Sequence, residues 1–146
     1  ISSRNPVKNG NDPCPSGWKV PSKWVIADIY NNDGTTDPAL DSQSNYTGTN
    51  NTWVWRAASN NAVGGAVITN ANGERLFMPA VGYRHFKYYI LNDIGTYGSY
   101  WSSTYMAFSR ATNLYFGSNG VSYTGSPQGD LYNGKSNGNC VRCVAE

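Results

Sequence analysis

The sequence predicts an α+β domain with little helix and many short antiparallel strands. Apolar and polar residues alternate over short runs, and Gly-, Asn- and Pro-rich turns separate those runs. Helical spacing occurs clearly once, near residue 23. The length of 146 residues suits one domain, 1–146, built on one core.

Taken in order, residues 1–13 are polar and turn-rich. The stretch D-P-C-P-S-G-W-K-V-P then makes a tight entry, with Gly17 between prolines. Ser22 follows Pro21 and can accept from backbone N–H groups, so it caps a short helix over 23–30 carrying Trp24, Val25 and Ile29. Residues 31–51 read as a long loop. Its Asp33, Asp37 and Asp41 lack the alternate spacing and closing Glu of a calcium loop, and read as a solvated acidic loop.

T-W-V-W-R alternates as a strand, with Trp53 and Trp55 on one side and Val54 on the other. The run 64–80 predicts two strands joined by a turn at 70–73, and Pro79 ends or edges the second. The segment 81–95 reads as a loop with short extended pieces. G-S-Y-W-S-S-T-Y begins another strand, and 111–123 a hairpin turning at 117–120, with Leu114 and Phe116 opposite Tyr115. A Gly-, Ser- and Asn-rich connection follows, and C-V-R-C-V is expected to form the last strand. Trp18, Trp24, Trp53, Trp55, Phe77, Trp101 and Leu114 are expected in the core.

Composition narrows the function classes. Charged residues make up 14%, against about a quarter in a typical soluble domain. Eleven Tyr and five Trp accompany abundant Asn, Ser and Gly, a composition that suits both recognition surfaces and loop-rich β folds. The basic residues are scattered, without a run or stripe, so nucleic acid is not an expected partner. No apolar stretch approaches the ~20 residues of a membrane span, so no membrane contact by this domain is expected. The opening I-S-S-R reads as a piece of a longer protein whose targeting segment lies elsewhere.

Chemistry-bearing residues are sparse. Cys14, Cys140, Cys143 and the single His85 lack the paired spacing of a zinc site, and no metal or cofactor is expected. A redox C-x-x-C sits at a helix N-terminus, whereas Cys140 and Cys143 lie in a strand-like run. Residues three apart in a strand face opposite ways, so both cannot meet Cys14. Only Glu74 and Glu146 are glutamates, and nothing pairs Asp93 with Asp130 for glycosidic chemistry. His85 has no visible nucleophile beside it and reads as a packed or exposed residue. No catalytic residue, and no enzyme, is expected.

Four motifs carry a resemblance: D-P-C-P-S-G-W-K-V-P at 12–21, L-F-M-P-A-V-G-Y-R at 76–84, Y-W-S-S-T at 100–104 and V-R-C-V at 141–144. In this order the chain resembles the Fibrobacter succinogenes major paralogous domain of Bacteroidetes surface proteins, and the wider C-type-lectin-like fold. The resemblance implies paired first and last strands and long ligand-bearing loops. It also implies a bridge from Cys14 to Cys143, the family's V-R-C position, and hence an oxidising compartment. Asn139 and Cys140 stand where the family has an aromatic residue and Ser.

The triplets that lectins of this fold use for calcium (E-P-N or Q-P-D, and W-N-D) are absent. The formylglycine-generating enzymes of the same fold space their cysteines differently and are much longer. The expectation is therefore a secreted or outer-membrane surface domain, the C-terminal part of a longer protein. It would bind a glycan or a host or bacterial surface protein without calcium. A structural module of a surface or pilus-like assembly, or a retroelement-diversified display domain, are the alternatives. Candidate ligand residues are Tyr105, Arg110, Asn113, Tyr115, Asn119, Tyr123, Asp130, Tyr132, Asn133 and Asn139, against the plainer reading of a solvated strand face.

Overall fold

The structure, a computed structural model, describes residues 7–30, 51–105, 111–118, 120–122 and 137–146. These form short antiparallel strands with a single helix among the described residues. The first strand, β1 (Trp18–Lys19), pairs with the last, β10 (Val144–Ala145), in the register Trp18↔Ala145 and Lys19↔Val144. Beside this pair Cys14 and Cys143 form a disulfide across 129 residues of chain.

The entry loop is held by one cation and one anion. Lys8 Nζ donates to the carbonyls of Cys14, Pro15 and Trp18, the last two at 2.8 and 2.6 Å. Asp12 accepts from the N–H of Cys14 at 2.9 Å and of Val20 at 3.0 Å, with Lys8 Nζ 3.9 Å away. Five backbone groups of this proline-rich loop thereby gain a side-chain partner.

Helix α1 (Lys23–Tyr30) begins as its sequence predicts: Ser22 Oγ accepts from Val25 N–H at 3.4 Å. Its last carbonyls are met from outside, since Asn51 Nδ2 donates to Asp28 O and Ile29 O at 2.9 and 2.8 Å. Ile26 is its buried anchor.

Two three-stranded sheets supply the core. In the first, β2 (Thr52–Arg56), β3 (Gly65–Thr69) and β4 (Arg75–Pro79) lie in that order. Trp53, Ile68 and Leu76 are in register on the inner face, as are Trp55, Ala66 and Met78. The β3–β4 turn is closed by Asn70, whose Oδ1 accepts from Asn72 and Glu74 N–H, and by Gly73 at φ 81°.

The second sheet comprises β7 (Tyr97–Tyr105), β8 (Ala111–Gly117) and β9 (Gly120–Ser122). Tyr100, Leu114 and Phe116 face the shared core with Ile26, Trp53 and Met78. Between β4 and β7 lies the hairpin of β5 (Tyr83–Arg84) and β6 (Leu91–Asn92). Isolated bridges Arg84↔Gly138 and Tyr100↔Cys140 run segment 138–140 between β5 and β7.

Several expectations need correction. Trp18 and Phe77 are not core residues, being 47% and 44% exposed. The alternation was right, but Lys19 takes the buried place in β1 and Leu76 and Met78 take it in β4. Phe77 instead joins Val54 and Val67 on the outer face. Trp24 and Trp101 are half-buried, while Trp55, also half-buried, packs on the core as expected. The last strand is only Val144–Ala145, because the closing segment serves two partners in turn, Tyr100 at Cys140 and then β1.

Candidate functional site

The outer face of the β7–β8 pair is the place where expected ligand residues meet. Alternation sends Tyr100, Leu114 and Phe116 inward, and so Ser99, Trp101, Asn113 and Tyr115 to the other side. Trp101 and Asn113 are register partners, as are Ser99 and Tyr115. Tyr115 is half-buried and stacks on Tyr97, with ring centroids 4.9 Å apart and an interplanar angle of 19°. Asn113 is 1% exposed, so it lies beneath the surface rather than on it. Its Nδ2 donates to Ser99 Oγ at 3.1 Å, and its Oδ1 has no hydrogen-bond partner.

Asn139 belongs to the same neighbourhood. Cys140 N–H donates to Ser99 O, Trp101 N–H donates to Cys140 O, and the Cys140 side chain packs on the core. Alternation then turns Asn139 away from the core, on the side of Ser99 and Asn113. Both amide atoms of Asn139 are buried without a hydrogen-bond partner. An unmet amide in a closed environment costs about 1–3 kcal/mol, so Asn139 weakens the fold locally.

Trp101 continues this face into an open cleft of about 460 Å³. Ser103 and Ala111 extend its strand wall, Val141 closes one side, and the entry loop brings Lys8, Asn9, Asn11, Asp12 and Lys19. Burial pushes the Asp12 carboxyl up, but the N–H groups of Val20 and Cys14, with the Lys8 ammonium, outweigh it and hold it below its ordinary value. Lys8 and Asp12 thus fix the wall by charge. An apolar ring beside a few fixed polar groups suits a sugar face or a peptide side chain.

Of the expected ligand residues, Asn113, Tyr115 and Asn139 are thus brought together. Tyr105 ends β7 in register with Ala111. Arg110, Asn119, Tyr123, Asp130, Tyr132 and Asn133 lie outside the described residues, as do Asp33, Asp37 and Asp41. Sequence reasoning missed Trp101, assigned to the core, and the entry-loop residues. The only available signal for Trp101 was its alternation with Tyr100.

The remaining reactive groups lie apart. His85 Nδ1 accepts from the N–H of Lys87 at 3.1 Å and of Tyr88 at 3.4 Å, and its ring stacks on Phe86 at 5.0 Å. This histidine therefore organises a turn. Cys140 carries a free thiol, which burial pushes above its ordinary pKa. Among the described residues no three His, Cys, Asp or Glu side chains gather as metal ligands, and no helix is long and apolar enough to cross a membrane.

The chain matches no protein-family model, no curated protein and no solved structure.

Proposed function

We propose that this chain is a non-catalytic recognition domain of C-type-lectin-like fold, related to the Fibrobacter succinogenes major paralogous domain. It binds a glycan or protein ligand without calcium, at the outer face of β7–β8. The observation that carries this reading is the Trp101 cleft, whose entry-loop wall carries the exposed amide side chains of Asn9 and Asn11. Aromatic stacking and amide hydrogen bonds are the two contacts that a calcium-free sugar site or a peptide site needs. Support for the fold comes from the pairing of β1 with β10, and support for an extracytoplasmic setting from the Cys14–Cys143 bond.

A glycan array and a panel of immobilised surface proteins, each with and without chelator, test the proposal. Binding is expected to be indifferent to chelator and to fall about 10-fold or more in Trp101→Ala and Asn11→Ala, the size of a central anchor's contribution. Loss of binding on chelation, or binding unaffected by both substitutions, refutes it. The second reading is a structural module of a surface assembly, and the apolar hairpin at 86–94 is the observation that favours it.

A further inference from the structure

The β5–β6 hairpin presents the largest run of exposed apolar side chains among the described residues. Phe86, Tyr88, Tyr89, Ile90, Leu91 and Ile94 are between 38% and 74% exposed. The run is also firmly shaped. Arg84 Nη1 donates to Tyr89 O at 2.6 Å, Tyr89 N–H donates to His85 O at 2.9 Å, and Tyr89 sits at φ 56°. A strained backbone tied at both sides holds these side chains outward instead of letting them fold back.

We propose that this hairpin is a homodimer surface, on which a second copy adds its β6 to β6, antiparallel, about a two-fold axis at Leu91. Three observations select a second copy. The first is hydrogen bonding. Across the ladder Arg84 is paired with Leu91, and His85 N–H donates to Ile90 O. The alternation of an antiparallel ladder therefore turns the N–H and C=O of Arg84 and of Leu91 outward, to opposite edges. Those of Arg84 meet Gly138, at 2.9 Å each way. Those of Leu91 have no backbone partner among the described residues. Such an edge accepts another strand, and a two-fold axis lets Leu91 exchange both bonds with the partner's Leu91.

The second observation is area. With roughly 150–250 Å² for a large side chain, the six expose about 650 Å² per copy. That is above the usual largest patch of about 300–600 Å² on a monomer. Two such faces together offer at most about 1,300 Å² to a contact, at the low end of the range of about 1,200–2,000 Å² for a stable interface.

The third is charge. Lys87 stands at the hairpin tip, where its Nζ lies 5.3 Å from the Tyr88 ring centroid, and Asp93 stands at the base. Neither has an ion-pair partner among the described residues. Antiparallel pairing lays each tip over the other's base, so Lys87 approaches the partner's Asp93 twice. One hairpin is thus complementary to itself, as an isologous contact requires.

Sedimentation of the oxidised chain tests this, with Cys140→Ser as background so that no thiol can cross-link two copies. The mass is expected to rise from 15.9 kDa toward twice that value with concentration. Leu91→Asp places like charges at the axis, and Lys87→Glu sets two acids against each other. Each is expected to weaken association about 10-fold or more, a shift of about 1.4 kcal/mol. Thermal unfolding confirms that both variants remain folded. A chain that stays at 15.9 kDa up to about 200 µM, or a dimer that either substitution leaves unchanged, overturns the proposal. The first outcome would hand the hairpin to an unlike partner.

Discussion

Tyr100 donates its phenolic hydrogen to the carbonyl of Pro79 at 2.8 Å and so ties β7 to the end of β4. The ring lies 5% exposed and stacks on Phe116 at 6.0 Å, so the bond crosses the centre of the fold. Tyr100→Phe keeps the ring and strands the carbonyl. A loss of about 1–3 kcal/mol in denaturant unfolding is expected.

The same residue predicts an alkaline limit. Burial, reinforced by nearby Cys140 and opposed by Arg142, pushes the Tyr100 phenol up to about 12, against an ordinary 10.0. The unfolded chain therefore releases this proton first. The contribution is fully present below pH 10.0 and is lost as pH rises towards about 12. Unfolding followed across that window should show a steeper loss in the native chain than in Tyr100→Phe. Equal slopes would exclude Tyr100 as the cause.

Asp12 predicts the opposite limit. Its folded carboxyl lies below the ordinary 3.8, so its stabilisation is present above that value and disappears as pH falls through the lower folded one. Asp12→Asn should lower stability at neutral pH and flatten the acid limb of the stability profile. An acid limb unchanged by the substitution would assign the loss to other carboxyls.

Gly98 gives a packing test. A Cβ built there would stand 2.2 Å from the Phe116 ring, which has no exposed surface and no room to move. Gly98→Ala should cost about 1–3 kcal/mol or more, by overpacking. Its partial rescue by Phe116→Leu, measured as a double-mutant cycle, would locate the clash.

The bridge is testable by chemistry. Non-reducing peptide mapping should show Cys14 joined to Cys143 and one thiol, at Cys140. That thiol should react more slowly than a free cysteine, because burial raises its pKa. Cys14→Ser with Cys143→Ser releases a closure of 129 residues, worth about 5 kcal/mol in the chain-entropy model.

Some of this was legible in the letters. The cap at Ser22, the alternation of Trp53 with Val54 and the turn at Asn70–Gly73 are local rules, and the structure follows them. Periodicity states that neighbours part, however, and not which of them goes inside. Trp18 and Phe77 were misplaced for that reason, and Trp101 was put wholly in the core. Asn113 failed differently: a polar letter suggested surface, yet its place opposite Trp101 is buried. The cleft could not be read at all, since Lys8, Asp12 and Val141 meet Trp101 only after the two chain ends have come together. The hairpin run F-K-Y-Y-I-L reads as a loop with short extended pieces, and only the ladder shows where its apolar side chains point.

The bond between Cys14 and Cys143 has a mechanical consequence. Tension applied through the chain on either side of it passes from sulfur to sulfur, and the 129 residues between carry none of the load. Among the described residues, the two-residue strand Val144–Ala145 and the latch of Lys8 and Asp12 lie outside that shortcut. A pull can peel these away and then meets a covalent bond. Both three-stranded sheets stay slack, so the domain resists stretching until a reductant opens the bridge.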